Sequence, residues 1–305
     1  MRRIVYLTIA CIICISFFFI FIFPFNGQPR PIPIILTSFG CPAILTTIEE
    51  KTYLLQLDLG SKFPLSLSKD VLESISEKRI HGVARWQDAK GNFYESPSYL
   101  IPRVKIGDFV LTSLVTRQEN EAYRFNTTLW NDNKEEKNLP QKQVGSLGRS
   151  LLEKTNVLLD FKNSKMILCS NKRQLQKMGF YLNRMIQVSF EQGEKGIIII
   201  NAETEAGTLR LGLDTGATIT LIRTSRVQNQ KCTIDARGFS IFSSRKFSIG
   251  DNDFGSKNLF LYDFTPELLD IDGVLGMDFL KNHTIYIDYE NKMIYIENPK
   301  ISTNA

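Results

Sequence analysis

The residues with the most chemistry to offer are two aspartates at the ends of matched apolar strands. Asp214 closes a run in which Leu209, Leu211 and Leu213 alternate with Arg210 and Gly212, the period-two pattern of a β-strand. Thr215 and Gly216 follow, and the glycine lets the backbone turn sharply before a second apolar run at 219–222. Asp58 has the same setting, after Tyr53, Leu55 and Leu57 and before Leu59, Gly60 and Ser61. One carboxylate at a strand end is a common turn device. Two that share a site do more: like charges about 3 Å apart cannot both ionise cheaply, so one keeps a proton as an acid while the other stays a base. Such a pair titrates as a unit and can activate a water with no metal and no covalent intermediate.

An internal repeat positions the two. Residues 40–58 lie on 196–214 without a gap, at an offset of 156, and residues 144–161 lie on 272–289, again without a gap, at an offset of 128. Between these blocks Ile106-Gly107-Asp108 matches Ile249-Gly250-Asp251, and Lys165-Met166-Ile167 matches Lys292-Met293-Ile294. The first copy is longer, with extra residues after Asp58 and in the polar stretch 119–143, which reads as an exposed loop. Elsewhere short alternating or apolar runs are separated by Gly, Asn and Asp, and helical stretches are confined to 68–77, 150–154 and 278–282, with a further one possible at 171–182. The chain is all-β.

The segment Asp214-Thr215-Gly216-Ala217, followed by Asp272-Gly273-Val274-Leu275-Gly276 and the hairpin pattern from Thr284 to Tyr289, resembles the retropepsin-like aspartic peptidases. The resemblance covers most of 190–297, and the repeat extends it to the first half. It implies a bilobal acid-protease fold, two retropepsin-like double-ψ β-barrel lobes in tandem, similar to pepsin-like enzymes. Lobe 1 would span 35–170, a linker 171–184 and lobe 2 185–299. It further implies an endopeptidase acting on peptide or protein substrates with Asp58 and Asp214 as catalytic residues and no cofactor. Thr215 would brace the two loops, and Gly216, Gly60 and Ser61 would shape them. The family's flaps fall between each aspartate and the Ile-Gly-Asp block, making Trp86, Tyr94 and Gly238 candidate substrate contacts. Packing of the two aromatic residues on their own lobe is the competing reading.

Lobe 1 departs from the pattern. Leu59 stands where threonine is expected, Val144 and Ser146 replace Asp272 and Val274, and Arg149-Ser150 replaces Met277-Asp278. Three functions therefore stay open: an active peptidase working as a monomeric pseudo-dimer, an inactive descendant that binds peptides or proteins, and a homodimer using Asp214 from each chain.

The remaining features set bounds. Residues 4–25 are almost wholly apolar and follow Arg2 and Arg3, long enough for a transmembrane helix. They read as a signal anchor with the N-terminus cytoplasmic and the rest extracytoplasmic, or as a cleaved signal peptide. Residues 26–34 read as a proline-rich stalk. The net charge of +5 is spread along the chain and accompanies no nucleic-acid motif. Cys41 and Cys169 could pair, though both align with isoleucines of the second half and read better as small buried apolar residues. His81 and His283 are the two histidines; neither belongs to a metal motif, and no metal site is expected.

Overall fold

In a computed structural model of the chain, residues 21–22, 28–37, 39–119, 142–236, 238–265 and 270–298 are described. They form three sheets, one for each half and one shared between them. In the first half Lys51–Asp58 lies antiparallel to Pro42–Ile48 and parallel to Gln143–Gly148, with Leu57 opposite Leu147. In the second half Gly207–Leu213 lies antiparallel to Ile198–Thr204 and parallel to Gly273–Leu275, with Leu213 opposite Leu275. The two parallel registers are those that offsets of 156 and 128 require. The Gly-x-Leu-Gly strands are threaded between neighbours so closely that a Cβ on Gly145 would fall 2.0 Å from the Ser66 carbonyl oxygen, and one on Gly273 2.1 Å from that of Leu221. This close threading is why glycine stands at both positions.

The shared sheet runs in the order Ile186–Ser189, Met293–Ile296, Thr284–Asp288, Asn156–Asp160, Lys165–Cys169, Ile32–Pro33. At its centre Val157 faces Ile287 and Leu159 faces Ile285, while Leu158 faces Tyr286. A two-fold rotation exchanges the first two pairs and maps the third on itself, so the duplicated halves meet as pseudo-symmetric partners. Leu158 and Tyr286 are fully buried there. One apolar cluster runs through both halves: Leu55, Leu57, Leu65 and Leu147 belong to it together with Leu209, Leu211, Leu213 and Leu275. The alternating leucines of the aspartate strands thus point into the core, and each strand is fixed in register by what it buries.

Short helices occur at Lys69–Ser74, Arg149–Leu152, Lys172–Lys177 and Met277–Leu280, at or beside the expected places. The stalk ends earlier than its composition suggests: Ile32 and Ile34 are buried, and Ile32–Pro33 pairs with Lys165 and Met166 as an edge strand, a position that tolerates proline. In the apolar N-terminal run, Phe21–Ile22 forms a two-residue strand on Val110 and Leu111 where a helix is expected, because the edge of Phe109–Gln118 offers unpaired backbone groups. The rest of that run lies outside the described residues, as does 120–141 of the predicted loop. Among the described residues no helix is long and apolar enough to cross a membrane.

Candidate active site

The two aspartate turns meet where the halves meet. The Gly216 amide donates to Asp214 Oδ1 at 2.8 Å, and the Ser61 amide donates to Asp58 Oδ1 at 3.0 Å. A Cβ on Gly216 would lie 2.8 Å from Asp58 Oδ1 and 3.1 Å from Asp214 Oδ1, and one on Gly60 would lie 2.6 Å from Asp214 Oδ1. Each glycine thus lies against the carboxylate of the opposite lobe. The two carboxylate oxygens are within about 6 Å of one another, near enough for each to oppose ionisation of the other.

The loops are tied across the interface by Thr215, which is fully buried. Its Oγ1 donates to the Leu57 carbonyl at 2.7 Å and accepts the Leu59 amide at 2.9 Å. The bracing that the sequence assigns to this hydroxyl is present from lobe 2. Leu59 returns no such bond; its side chain is buried in the common core.

Burial is the main cause that pushes both carboxyls above the ordinary carboxylate range. Asp214, with the Asp58 charge beside it, rises from 3.8 to about 7, against the opposing pull of the Gly216 and Ala217 amides and of Arg149. Asp58 is likewise raised by burial, against the opposing pull of the Ser61 and Gly60 amides and of the charges of Arg117 and Arg149. The sign for stability follows: between pH 3.8 and about 7 the folded state holds a proton at Asp214 that the unfolded chain has lost, so this group's contribution falls as pH rises through that window. Denaturant unfolding from pH 4 to pH 7 is therefore expected to show wild type losing stability relative to Asp214→Asn. Parallel curves would contradict the burial described.

Two arginines at the site were not visible as site residues in the sequence. Arg117 lies 4.1 Å from the Trp86 ring centroid and 4.5 Å from that of Phe63, with Nε donating to Ser66 Oγ. By strand register it occupies the place of Phe260, since Ser66 lies between Ser146 and Arg117 as Leu221 lies between Val274 and Phe260. Arg149, on the position of Met277, is 2% exposed. A charged residue on a matched position that is apolar in the other copy was the signal available for Arg149.

The region expected to hold the first flap forms a hairpin of Arg79–Gln87 and Phe93–Ile106. Its Lys90-Gly91-Asn92 turn is held by Asp88, whose carboxylate accepts the Lys90 and Asn92 amides and the Tyr94 hydroxyl. Trp86 stacks on Tyr94 with centroids 5.6 Å apart and packs edge-on to Phe63, so both aromatics pack within their own lobe. The tip reaches the second lobe: the Thr265 amide donates to the Ala89 carbonyl at 2.8 Å, and Ala89 packs on the cluster of Ile199, Phe264, Ile271 and Val274. Gly238 sits at a hairpin tip with φ +87° and open space around it, away from the aspartates' contacts. Cys41, Cys169 and Cys232 are free thiols. Burial and the two aspartates push the Cys41 thiol up to about 12, and its Sγ approaches the Gly216 carbonyl at 3.5 Å. His283 stacks on Phe279 in the core.

No protein-family model matches the chain, and no curated protein is similar to it in sequence. Among solved structures it is similar to the aspartic proteinase from Irpex lacteus, with a TM-score of 0.58 over 90% of this chain and 99% of that one, at 12% identity. The chain has the bilobal fold of an aspartic proteinase. At that identity the likeness speaks for the all-β architecture, while the site stands on its own geometry.

Proposed function

We propose that this chain is an aspartic endopeptidase in which Asp58 and Asp214, sharing one proton, activate a water against a peptide carbonyl. The observation that carries the reading is the crossing of the two aspartate loops at the lobe interface, each glycine against the other lobe's carboxylate. In this reading the ionised member takes the proton of the attacking water while the protonated member donates to the carbonyl oxygen; proton transfer back to the leaving amine completes hydrolysis. Burial and mutual repulsion favour the singly protonated state, which is the state the reaction needs. The substrate is a peptide or protein lying between the flap hairpin and the pair. The apolar run that begins at residue 4 would anchor the chain in a membrane ahead of the Phe21–Ile22 strand, with the folded part on the extracytoplasmic side, a proposal drawn from the sequence.

One chain supplies both carboxylates, which favours a monomeric pseudo-dimer over pairing of Asp214 with its copy in a second chain. The full chain in detergent, given a mixed peptide library, is expected to cleave internal bonds and to be inhibited by a statine-type compound. Absence of cleavage from pH 3 to 8 would remove the proposal.

The second reading, an inactive peptide-binding module, is favoured by Leu59. Leu59→Thr separates the two. Because Leu59 is 1% exposed within the core, we expect the substitution to cost about 1–3 kcal/mol and to leave kcat within about threefold. A large gain of activity would mean that the natural chain lacks a working pair.

A further inference from the structure

We infer that Arg149 is the positioning residue of the aspartate pair, supplying from lobe 1 the cross-interface tie that Leu59 cannot make. The inference rests on the aspartic-peptidase reading for its functional meaning, but its structural content is independent of it. Arg149 opens the short helix Arg149–Leu152 directly after Gly148. Its own amide donates to the Ser61 carbonyl at 3.0 Å. Its side chain then turns back on the aspartate loop: Nη1 donates to the Gly60 carbonyl at 2.9 Å and reaches the Leu59 carbonyl at 3.5 Å. Nη2 crosses to lobe 2 and donates to the Lys195 carbonyl, while Nε pairs with Glu153 at 3.4 Å. One guanidinium therefore holds both backbone carbonyls of Leu59-Gly60 and fixes them to the turn that precedes Ile198–Thr204. The turn is shaped to receive it: Gly196, at φ +80°, would place a Cβ 3.4 Å from both Nε and Nη2.

The arrangement is asymmetric in a way that fits the loss at position 59. Lobe 2 reaches across with the Thr215 hydroxyl and carries the apolar Met277, 1% exposed, where lobe 1 has Arg149. Lobe 1 has the apolar Leu59 at the hydroxyl's place and the cation at the methionine's. A buried guanidinium that bonds several carbonyls and a carboxylate keeps its charge, because the geometry of those contacts offsets desolvation. Gly60 lies against Asp214, so holding Gly60 also sets the room left for that carboxylate.

The charge has a second consequence. Arg149 is within electrostatic reach of both Asp58 and Asp214, favouring their ionised forms. The other groups facing the pair are Arg117, which acts in the same direction on Asp58, and the Cys41 thiol, which burial keeps neutral. Glu153 and the Tyr289 hydroxyl face Arg149 itself.

The test uses the full chain with carboxyl-13C aspartate, assigned with D58N and D214N, and follows the titration of the pair by NMR. R149M, which installs the residue of lobe 2, and R149Q, which keeps amide donors without charge, are expected to move the pair's midpoints up by about 1 pH unit. R149K keeps a charge but not the planar fork. Its midpoints should stay near those of wild type while kcat for a cleaved peptide falls about tenfold at unchanged KM. Unmoved midpoints in whichever of R149M and R149Q folds, or full kcat in R149K, would overturn the inference. Should wild type cleave nothing, the peptidase reading falls, and the titration still decides whether Arg149 governs the pair.

Discussion

Asp214→Asn is expected to lower kcat for peptide hydrolysis by at least about 10³-fold, the scale on which a positioned acid–base group contributes, while leaving the fold intact. The amide is nearly isosteric with the carboxyl and its Oδ1 can still accept the Gly216 amide, which lies 2.8 Å away. What is lost is the proton that the pair passes. At pH 7 the exchange also removes one of two carboxyls that burial and mutual repulsion hold above their ordinary range, so the variant should melt no lower than wild type. Asp58→Asn should cost a similar factor, and the double variant little more than either alone, because the two groups act as a unit. The measurement is kcat/KM on one cleaved peptide with melting temperature alongside. A D214N protein that is equally stable and retains a tenth of the activity would show that hydrolysis, if present, is done elsewhere.

Gly60→Ala should be nearly as damaging although it removes no functional group. An added Cβ would sit 2.6 Å from Asp214 Oδ1, 2.7 Å from its Cγ and 2.8 Å from its Oδ2, distances that real Cβ atoms do not tolerate. The carboxylate must swing away, yet its Oδ1 is held by the Gly216 amide and the loop carrying Gly60 is held by Arg149. The strain therefore falls on the separation of the two aspartates. A displacement of about 1 Å in a reacting group costs on the order of 10²-fold, and that is the loss expected in kcat. The companion change Gly216→Ala meets Asp58 Oδ1 at 2.8 Å and should behave alike. If G60A keeps full activity, the two loops do not approach as described and the shared-proton mechanism loses its geometric basis.

The sequence carried much of this architecture because duplication left two readings of one pattern. The alternation at Leu209, Leu211 and Leu213 and its copy at Leu55 and Leu57 fixed which face of each aspartate strand is buried, since a slip of one residue would expose every leucine. The glycines at 145 and 273 marked a strand crossing too tight for any side chain. Other features were misread or missed, three of them for physical reasons that can be named. Ile32–Pro33 looked like stalk because prolines suggest extended chain, and only the neighbouring edge at Lys165–Met166 made it a strand. Arg149 looked like erosion of lobe 1, since a substitution of methionine by arginine says nothing about which carbonyls the side chain will find. The flap tip's bond to Thr265 joins residues far apart in the chain, with no local pattern to announce it.

By itself, then, the amino-acid order determined the strands, their buried faces, the duplicated plan and the two acids at matched turns, because periodicity and turn chemistry act over a few residues. Only the tertiary structure decided that Asp58 and Asp214 face each other, that Thr215 and Arg149 tie the loops from opposite lobes, and that burial lifts Asp214 to about 7. Those properties depend on distances across the lobe interface, and on the water excluded there, which no local stretch of sequence encodes.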